Sequence, residues 1–284
     1  MRSILAHWRW LIPLLSYSAD VHAWGLYTHV YFAQLLLWAV PLTDSRFRRA
    51  IKTCPQLVLA GACLQDMSLV GKYFGANDLS GTHRWEYPRA LLDSAHGDEE
   101  QAIALGYVSH LLVDVIAHNH FVPAHEKMWL NVPLATHAAA EWAMDAHISA
   151  HLFARPGVLL DQNRDILAGY VARHFDCSAR AVRHTLLCLA RADSGLRRSG
   201  LPGLCYEGAI SLDAGLRRRF NYYLNETSRH LMHINRILAG EEPLWQAEPF
   251  CALATRERIE LIAPMQLRHR IPLPQDLFES VAES

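Results

Sequence analysis

Apolar residues recur at steps of three and four along most of this chain, which is the spacing of one face of an α-helix. Val30, Ala33, Leu37 and Val40 mark a first helix in this way, and no stretch shows the strict alternation of a half-buried strand. The same spacing predicts further helices over residues 102–117, 134–153, 161–174, 179–191 and 216–238. Because no repeat and no Gly/Ser-rich linker divides the chain, we expect an all-α, single-domain helical bundle with long loops.

The composition limits the classes of function. The chain has 284 residues, of which 51% are apolar and 19% charged, so it can bury a substantial core and is not a disordered chain. A net charge of −1 excludes a strongly basic protein that coats nucleic acid. Six cysteines show no C-x-x-C spacing, which leaves disulfides and buried free thiols equally open. Seventeen histidines point to metal or proton chemistry, since histidine is the commonest metal ligand.

The first 23 residues have the layout of a secretory signal peptide. Arg2 and Arg9 precede a short apolar run, and Val21 and Ala23 are the small residues expected before a cleavage site. Cleavage after Ala23 would leave residues 24–284 as the mature domain, secreted or periplasmic. The alternative is an uncleaved membrane anchor, because residues 21–43 contain no Asp, Glu, Lys or Arg.

Two helical clusters carry the metal-ligand types. The first reads His110-x-x-x-Asp114-x-x-x-His118, and the second reads His137-x-x-x-Glu141. Residues four apart on a helix lie on one face, within about 6 Å between Cβ atoms. Asp114 sits in an otherwise apolar run, where a lone carboxylate is costly to bury, so a metal or a histidine partner is expected. Imidazole nitrogens with carboxylate oxygens suit zinc.

These clusters belong to a longer ordered set that resembles the zinc-dependent phospholipase C family, which shares its fold with single-strand-specific nucleases. In that family the mature chain begins with Trp, which Trp24 matches, and His29 follows. The segment from Gly61 to Asp66 resembles the family's Gly-x-x-x-Pro-Asp motif, with Gln65 where proline is usual. The residues from Gly106 to Pro123 also read like many bacterial members. The resemblance covers roughly residues 24–150.

The resemblance implies up to three zinc ions and a ligand set for each. His118 and His120 stay open as alternatives, because the classical spacing selects His120 whereas a straight helix directs His118 along the ligand stripe. Asp66 is also implied as a base towards the attacking water. The implied sets are Asp66, His83, His110 and Asp114; His118 or His120 with His137 and Glu141; and Trp24 and His29 with a shared Asp114.

The function that the resemblance implies is an exported phospholipase C, which hydrolyses the glycerol–phosphate bond of a phospholipid through a metal-activated water. Partners are then a phospholipid or other phosphodiester substrate and a peripheral membrane contact, with no stable nucleic-acid complex. The aromatic residues near the ligands in sequence are candidates for a choline or lipid pocket. They are Trp85, Tyr87, Phe121, Trp129 and Trp142.

Two alternatives remain from the residues alone. The first is a single-strand-specific nuclease on the same scaffold, for which arginines would form a basic groove beside stacking aromatics. The second is a non-catalytic family member that binds metal or membrane. The arginines of the first alternative are Arg180, Arg183, Arg191, Arg197, Arg198 and those at 217–219.

Overall fold

A computed structural model describes residues 25–129, 133–247, 259–269 and 277–278. The predicted leader and Trp24 therefore lie outside the described residues. Within the described ranges all regular structure is helical, which confirms the all-α prediction. The α-helices are α1 (Leu26–Trp38), α2 (Ser45–Thr53), α3 (Pro55–Gly61), α4 (Ser68–Gly71), α5 (Glu86–Ser94), α6 (Gly97–Ile116), α7 (Val122–Met128), α8 (Pro133–Ile148), α9 (Pro156–Gln162), α10 (Arg164–His174), α11 (Ala179–Ser199), α12 (Leu201–Leu212), α13 (Leu216–Leu231), α14 (Ile234–Leu238) and α15 (Pro264–His269).

Local sequence sets several of these helix ends. The Asp44 side chain accepts a hydrogen bond from the N–H of Arg46 at the start of α2, and Ser178 does the same for Ala181 at the start of α11. Pro55 and Pro156 occupy the first turns of α3 and α9, where the missing N–H costs no helical hydrogen bond.

Helix α6 forms the centre of the bundle. Its residues from Gln101 to Ile116 are all buried, and α1, α2, α3, α5 and α13 pack around it. The continuous helical stretch Gly97–Met128 is long and apolar enough to cross a membrane by length and composition, but its most apolar 18-residue window is wholly buried. A helix surrounded on all sides by other helices passes the same test, so the stretch is read as the core of the bundle.

Two glycines allow α3 and α6 to lie unusually close together. A Cβ atom on Gly106 would lie 2.0 Å from the carbonyl oxygen of Val58, and one on Gly61 would lie 2.4 Å from that of Ile103. Only glycine leaves room for this backbone contact. The contact brings the turn after α3, which carries Asp66, against the face of α6 that carries His110.

The predicted helix 102–117 is found as α6, which begins earlier, at Gly97, and ends at Ile116, but helical structure continues beyond it. A π-helical turn, Ala117–Phe121, follows α6 directly, and the N–H of Val122 donates to the carbonyl of Ala117. Pro123 then lies in the first turn of α7, where its missing N–H is tolerated. The other predicted helices are also adjusted: α1 ends before Val40, α8 gives way to the 3₁₀ turn Ser149–His151, and the segment 216–238 divides into α13 and α14.

Candidate metal centre

Asp114 is the centre of a buried cluster of histidines. Its Oδ1 lies 3.2 Å from Nε2 of His29, and its Oδ2 lies 3.0 Å from Nε2 of His110 and 3.5 Å from Nε2 of His83. His110 precedes it by one helical turn on α6, whereas His29 comes from α1 and His83 from the loop before α5. The rings of His29 and His110 stack with their centroids 3.5 Å apart. Three separate parts of the chain therefore direct ring nitrogens at one carboxylate.

The tautomer of His110 is set by the turn after α3. Its Nδ1 lies 2.8 Å from the carbonyl oxygen of Ala62, and a carbonyl only accepts, so Nδ1 carries the proton. Nε2 then faces Oδ2 of Asp114 at 3.0 Å and Nε2 of His83 at 3.3 Å. An imidazole whose far nitrogen donates to a carbonyl is the usual arrangement of a metal-ligating histidine.

Asp66 completes this part of the site. Its ligand oxygen lies within 4.8 Å of the ring nitrogens of His29 and His110. Burial raises the pKa of Asp66 to about 8, and Oδ1 has no hydrogen-bond partner among the described residues. A buried carboxyl with an unused oxygen is suited to bind a cation or to hold a proton.

Gln65 replaces the usual proline of the family motif and holds the turn by side-chain contacts. Its side-chain Nε2 donates to the carbonyl of Tyr107 at 2.5 Å, and its backbone carbonyl accepts from the Thr82 side-chain Oγ1 at 2.9 Å. The turn with Asp66 is thereby tied to α6 and to the loop that carries His83. The departure from the motif is structurally accommodated.

A second group of ligands lies where the π-helical turn meets α8. Atoms of His118, His137 and Glu141 lie within 4.8 Å of one another. Nε2 of His137 is 2.8 Å from Oε1 of Glu141, and its Nδ1 is 3.3 Å from Oε1 of Glu126. Burial alone would lower the pKa of His137, but the two carboxylates outweigh it and raise that pKa to about 9. Burial raises the pKa of Glu141 to about 7, so this pair retains a proton near neutral pH where a metal ion could replace it.

The structure brings His118, and not His120, into this group. The ring of His120 faces Trp245 with centroids 6.0 Å apart, and its carbonyl accepts from the Tyr223 hydroxyl at 3.4 Å. His118 lies one turn after Asp114, inside the π-helical turn Ala117–Phe121. Its Nδ1 is 2.5 Å from the carbonyl oxygen of Ala247, which leaves Nε2 for the site.

The donor set fits zinc. Three buried carboxylates and five histidines form these groups, and the ion pairs that the carboxylates make within the described part of the chain involve histidine only. Among the described residues, both oxygens of Asp114 and Oε1 of Glu141 meet only histidine nitrogens, at 2.8–3.5 Å. Buried carboxylates left in this state are costly without a cation. The mixture of imidazole and carboxylate is the one that zinc selects.

The protonation states agree with this role. Burial alone would raise the pKa of Asp114, but His110, His29 and His118 outweigh it and hold that pKa well below its usual value. Burial lowers the pKa of His83 to about 3, so His83 is neutral and able to donate its lone pair. Ionised carboxylate and neutral imidazole are the forms that bind metal.

The five predicted substrate-binding aromatics do not form one pocket wall. Phe121 is fully buried against Phe220 and Tyr223, a core position. Trp85 is buried and lines a cleft of about 170 Å³ that includes none of the candidate ligands. The other three are half-buried: Tyr87 stacks on Phe175, Trp129 packs edge-on against His125, and Trp142 follows Glu141 on α8.

The predicted basic groove loses two of its arginines to the interior. Arg197 pairs with Asp145 and with Asp193, and its guanidinium lies 4.0 Å from the Tyr27 ring centroid. Arg219 is fully buried and pairs with Asp213. Charges compensated in this way do not attract a phosphate backbone.

Two supporting acids were not predicted. Asp145 accepts hydrogen bonds from the N–H and the hydroxyl of Thr28, at 2.9 and 2.8 Å, and so anchors α1 beside His29. Asp145 lies one turn beyond Glu141, so continuing the i,i+4 series from His137 and Glu141 would have identified it. Glu126, behind His137, had no comparable signal because its helix follows the unforeseen π-helical turn.

The cysteines within the described residues are free thiols, and Cys251 lies outside those residues. The free thiols are Cys54, Cys63, Cys177, Cys188 and Cys205.

Comparison with known proteins agrees with this geometry. A family model described as zinc dependent phospholipase C matches residues 28–186, more than half of the chain. Comparisons with curated proteins and with solved structures found no match. The matched range contains every candidate ligand except Trp24. The chain belongs to the zinc-dependent phospholipase C family.

Proposed function

We propose that this protein is an exported phospholipase C that hydrolyses the glycerol–phosphate bond of a phospholipid at a site with up to three zinc ions. The observation that carries the proposal is the Asp114 cluster. A fully buried carboxylate lies between three histidine nitrogens at 3.0–3.5 Å, with a second His/Glu group one helical turn further on. Family membership supports the reaction class.

The proposed ligand sets follow the contacts. Asp66, His83, His110 and Asp114 would hold one ion, and His118, His137 and Glu141 a second. His29 is fully buried and lies at Asp114, which supports a third set with the amine and carbonyl of Trp24. Zinc ions held there would polarise the phosphoryl oxygens and lower the pKa of the attacking water.

The chain's own residues have distinct parts in this reaction. The Oδ1 atom of Asp66 is placed to accept a proton from the attacking water, because that oxygen is buried and uncommitted among the described residues. The pKa of Asp66, raised by burial to about 8, suits a general base near neutral pH. His83 is a neutral ligand, His110 presents Nε2 to the site, and Asp114 links the groups by its charge.

Export is part of the proposal and depends on the leader pattern of residues 1–23. Cleavage after Ala23 would expose the amine of Trp24, so export and the third zinc set are linked. Intact mass of the protein expressed with its own leader tests both. A mass that begins at Trp24 with about three zincs supports them, whereas an uncut chain with about two zincs favours the membrane-anchored alternative.

The activity test compares substrates and one matched pair of variants. We expect release of phosphorylated head group from phosphatidylcholine vesicles, loss on chelation and recovery with zinc. Asp114→Asn should lower the rate at least about 100-fold, since loss of a ligand exceeds the usual outer-sphere effect. Asp161→Asn is the control, because Asp161 is exposed and pairs with Arg164 on the surface.

The same assays separate the alternatives. Faster hydrolysis of single-stranded DNA than of phospholipid would replace the proposal with the nuclease. Zinc bound without hydrolysis of phospholipid, nucleic acid or model diesters would support a non-catalytic member. Hydrolysis that resists chelation would refute a metal centre as the source of activity.

A further inference from the structure

The segment Leu244–Ala247, here called the carbonyl strap, crosses behind the candidate metal centre. It lies far beyond residue 186, where the family match ends. Its three last carbonyls each accept a hydrogen bond from a side chain near the ligands. The donors are Trp85 Nε1 to Trp245 at 3.1 Å, Asn119 Nδ2 to Gln246 at 3.1 Å, and His118 Nδ1 to Ala247 at 2.5 Å.

Packing and a hydrogen bond hold the strap in place at its two ends, Leu244 and Ala247. The N–H of Leu244 donates to the carbonyl of Leu277 at 2.7 Å, and Ala247 is fully buried. The ring of Trp245 also lies against His120, with centroids 6.0 Å apart. A segment held in this way presents its carbonyls in a defined position.

The contact with His118 has a chemical consequence. A carbonyl oxygen cannot donate, so the proton of neutral His118 must lie on Nδ1, and Nε2 keeps its lone pair. Nε2 belongs to the group with His137 and Glu141. The carbonyl of Ala62, within the matched range, makes the same contact with Nδ1 of His110. The carbonyl that contacts His118 is that of Ala247, in the C-terminal part of the chain beyond the matched range.

We infer that the carbonyl strap is a positioning element of the second zinc site: Ala247 fixes the ring and tautomer of His118, and Trp85 and Asn119 fix the strap. The inference rests on the proposed zinc centre and adds to it a part that lies outside the family match. Outer-sphere partners of this kind typically contribute 10–100-fold to metal affinity.

Zinc release from the full-length protein into a chromogenic chelator tests the inference without measuring catalysis. His118→Ala and His83→Ala identify which release phase belongs to which ligand group. In Ala247→Leu the larger side chain has no space at a fully buried position and should displace the carbonyl. We expect release from the His118 group to become at least about tenfold faster, with the His83 phase unchanged.

Two controls and a second variant complete the test. Ala239→Leu makes the same change at an exposed position directly after α14, outside the strap, and should release zinc as the wild type does. Asn119→Ala removes one anchor of the strap and should also accelerate only the His118 phase. Asn235→Ala is its control, because Asn235 binds the backbone at Pro41 and Thr43, in a different loop. Cooperative unfolding of each zinc-free variant verifies that it folds.

The outcomes separate this inference from the proposed function. Release unchanged in both Ala247→Leu and Asn119→Ala, with His118→Ala still losing its zinc, would refute the strap and leave the zinc centre standing. Equal acceleration of both phases would also refute a positioning role, since it indicates general loosening. A wild type that holds no zinc at the His118 group would overturn the proposed centre and the strap together.

Discussion

Replacement of Gly106 by alanine should separate α3 from α6 and disturb the first ligand group. The new Cβ would lie 2.0 Å from the carbonyl oxygen of Val58, so the backbones must part by about 1.4 Å to reach ordinary contact. The same movement would lengthen the 2.8 Å contact between His110 Nδ1 and the Ala62 carbonyl beyond hydrogen-bond distance. Overpacking of this kind costs about 1–3 kcal/mol, which exceeds the gain of about 1 kcal/mol for alanine in a helix.

Thermal or urea unfolding of the zinc-free protein measures the change in the free energy of unfolding. Zinc titration measures the change in zinc affinity of the ligand group. Gly208→Ala is the matched control, because Gly208 lies within α12 and an added Cβ there meets nothing within 4 Å. We expect the control to be neutral or to gain up to about 1 kcal/mol and to bind zinc normally. A Gly106→Ala protein as stable as the control, with unchanged zinc affinity, would show that the close helix contact does not position His110.

Three further predictions concern the ligands. His118→Ala should lose about one zinc per chain by elemental analysis while His120→Ala keeps it, and the reverse result would show that the classical spacing selects the ligand. Glu126→Gln should weaken zinc binding about 10–100-fold in competition titrations, because the carboxylate orients His137; an unchanged affinity would contradict that role. The zinc affinity of the Asp66 group should fall as pH is lowered below about 8, because burial raises the pKa of that carboxyl and a proton must leave before metal binds. Titrations from pH 6 to 9 check this, and an affinity that is level across the range would refute it.

The helical class and the grouping of most candidate ligands could be predicted because their signals are local. The i,i+4 spacing of His110 with Asp114, and of His137 with Glu141, places each pair on one helix face whatever the tertiary structure. Those pairs are found together at 3.0 and 2.8 Å. The prediction of an all-α bundle likewise depends only on apolar periodicity.

The remainder depends on contacts that periodicity does not contain. The choice between His118 and His120 required the π-helical turn, which arises where Pro123 interrupts the regular hydrogen-bond pattern. The pairing of Arg197 with Asp193, one turn earlier on α11, is local, but its second partner Asp145 comes from α8, which the sequence pattern does not show. Phe121 was placed near substrate by sequence proximity alone, but its side chain points into the core.

The same burial that shapes this site links it to the stability of the fold. Asp66, Asp114 and Glu141 leave water on folding, and raised pKa values of about 8 for Asp66 and about 7 for Glu141 express the cost of holding them charged. A bound cation offsets that cost only in the folded chain, because the ligands come from α1, α6, α8 and two loops that are distant in sequence. Zinc would therefore stabilise the bundle as well as catalyse, and the contacts of Asp145 and the carbonyl strap hold these elements in place before the metal binds.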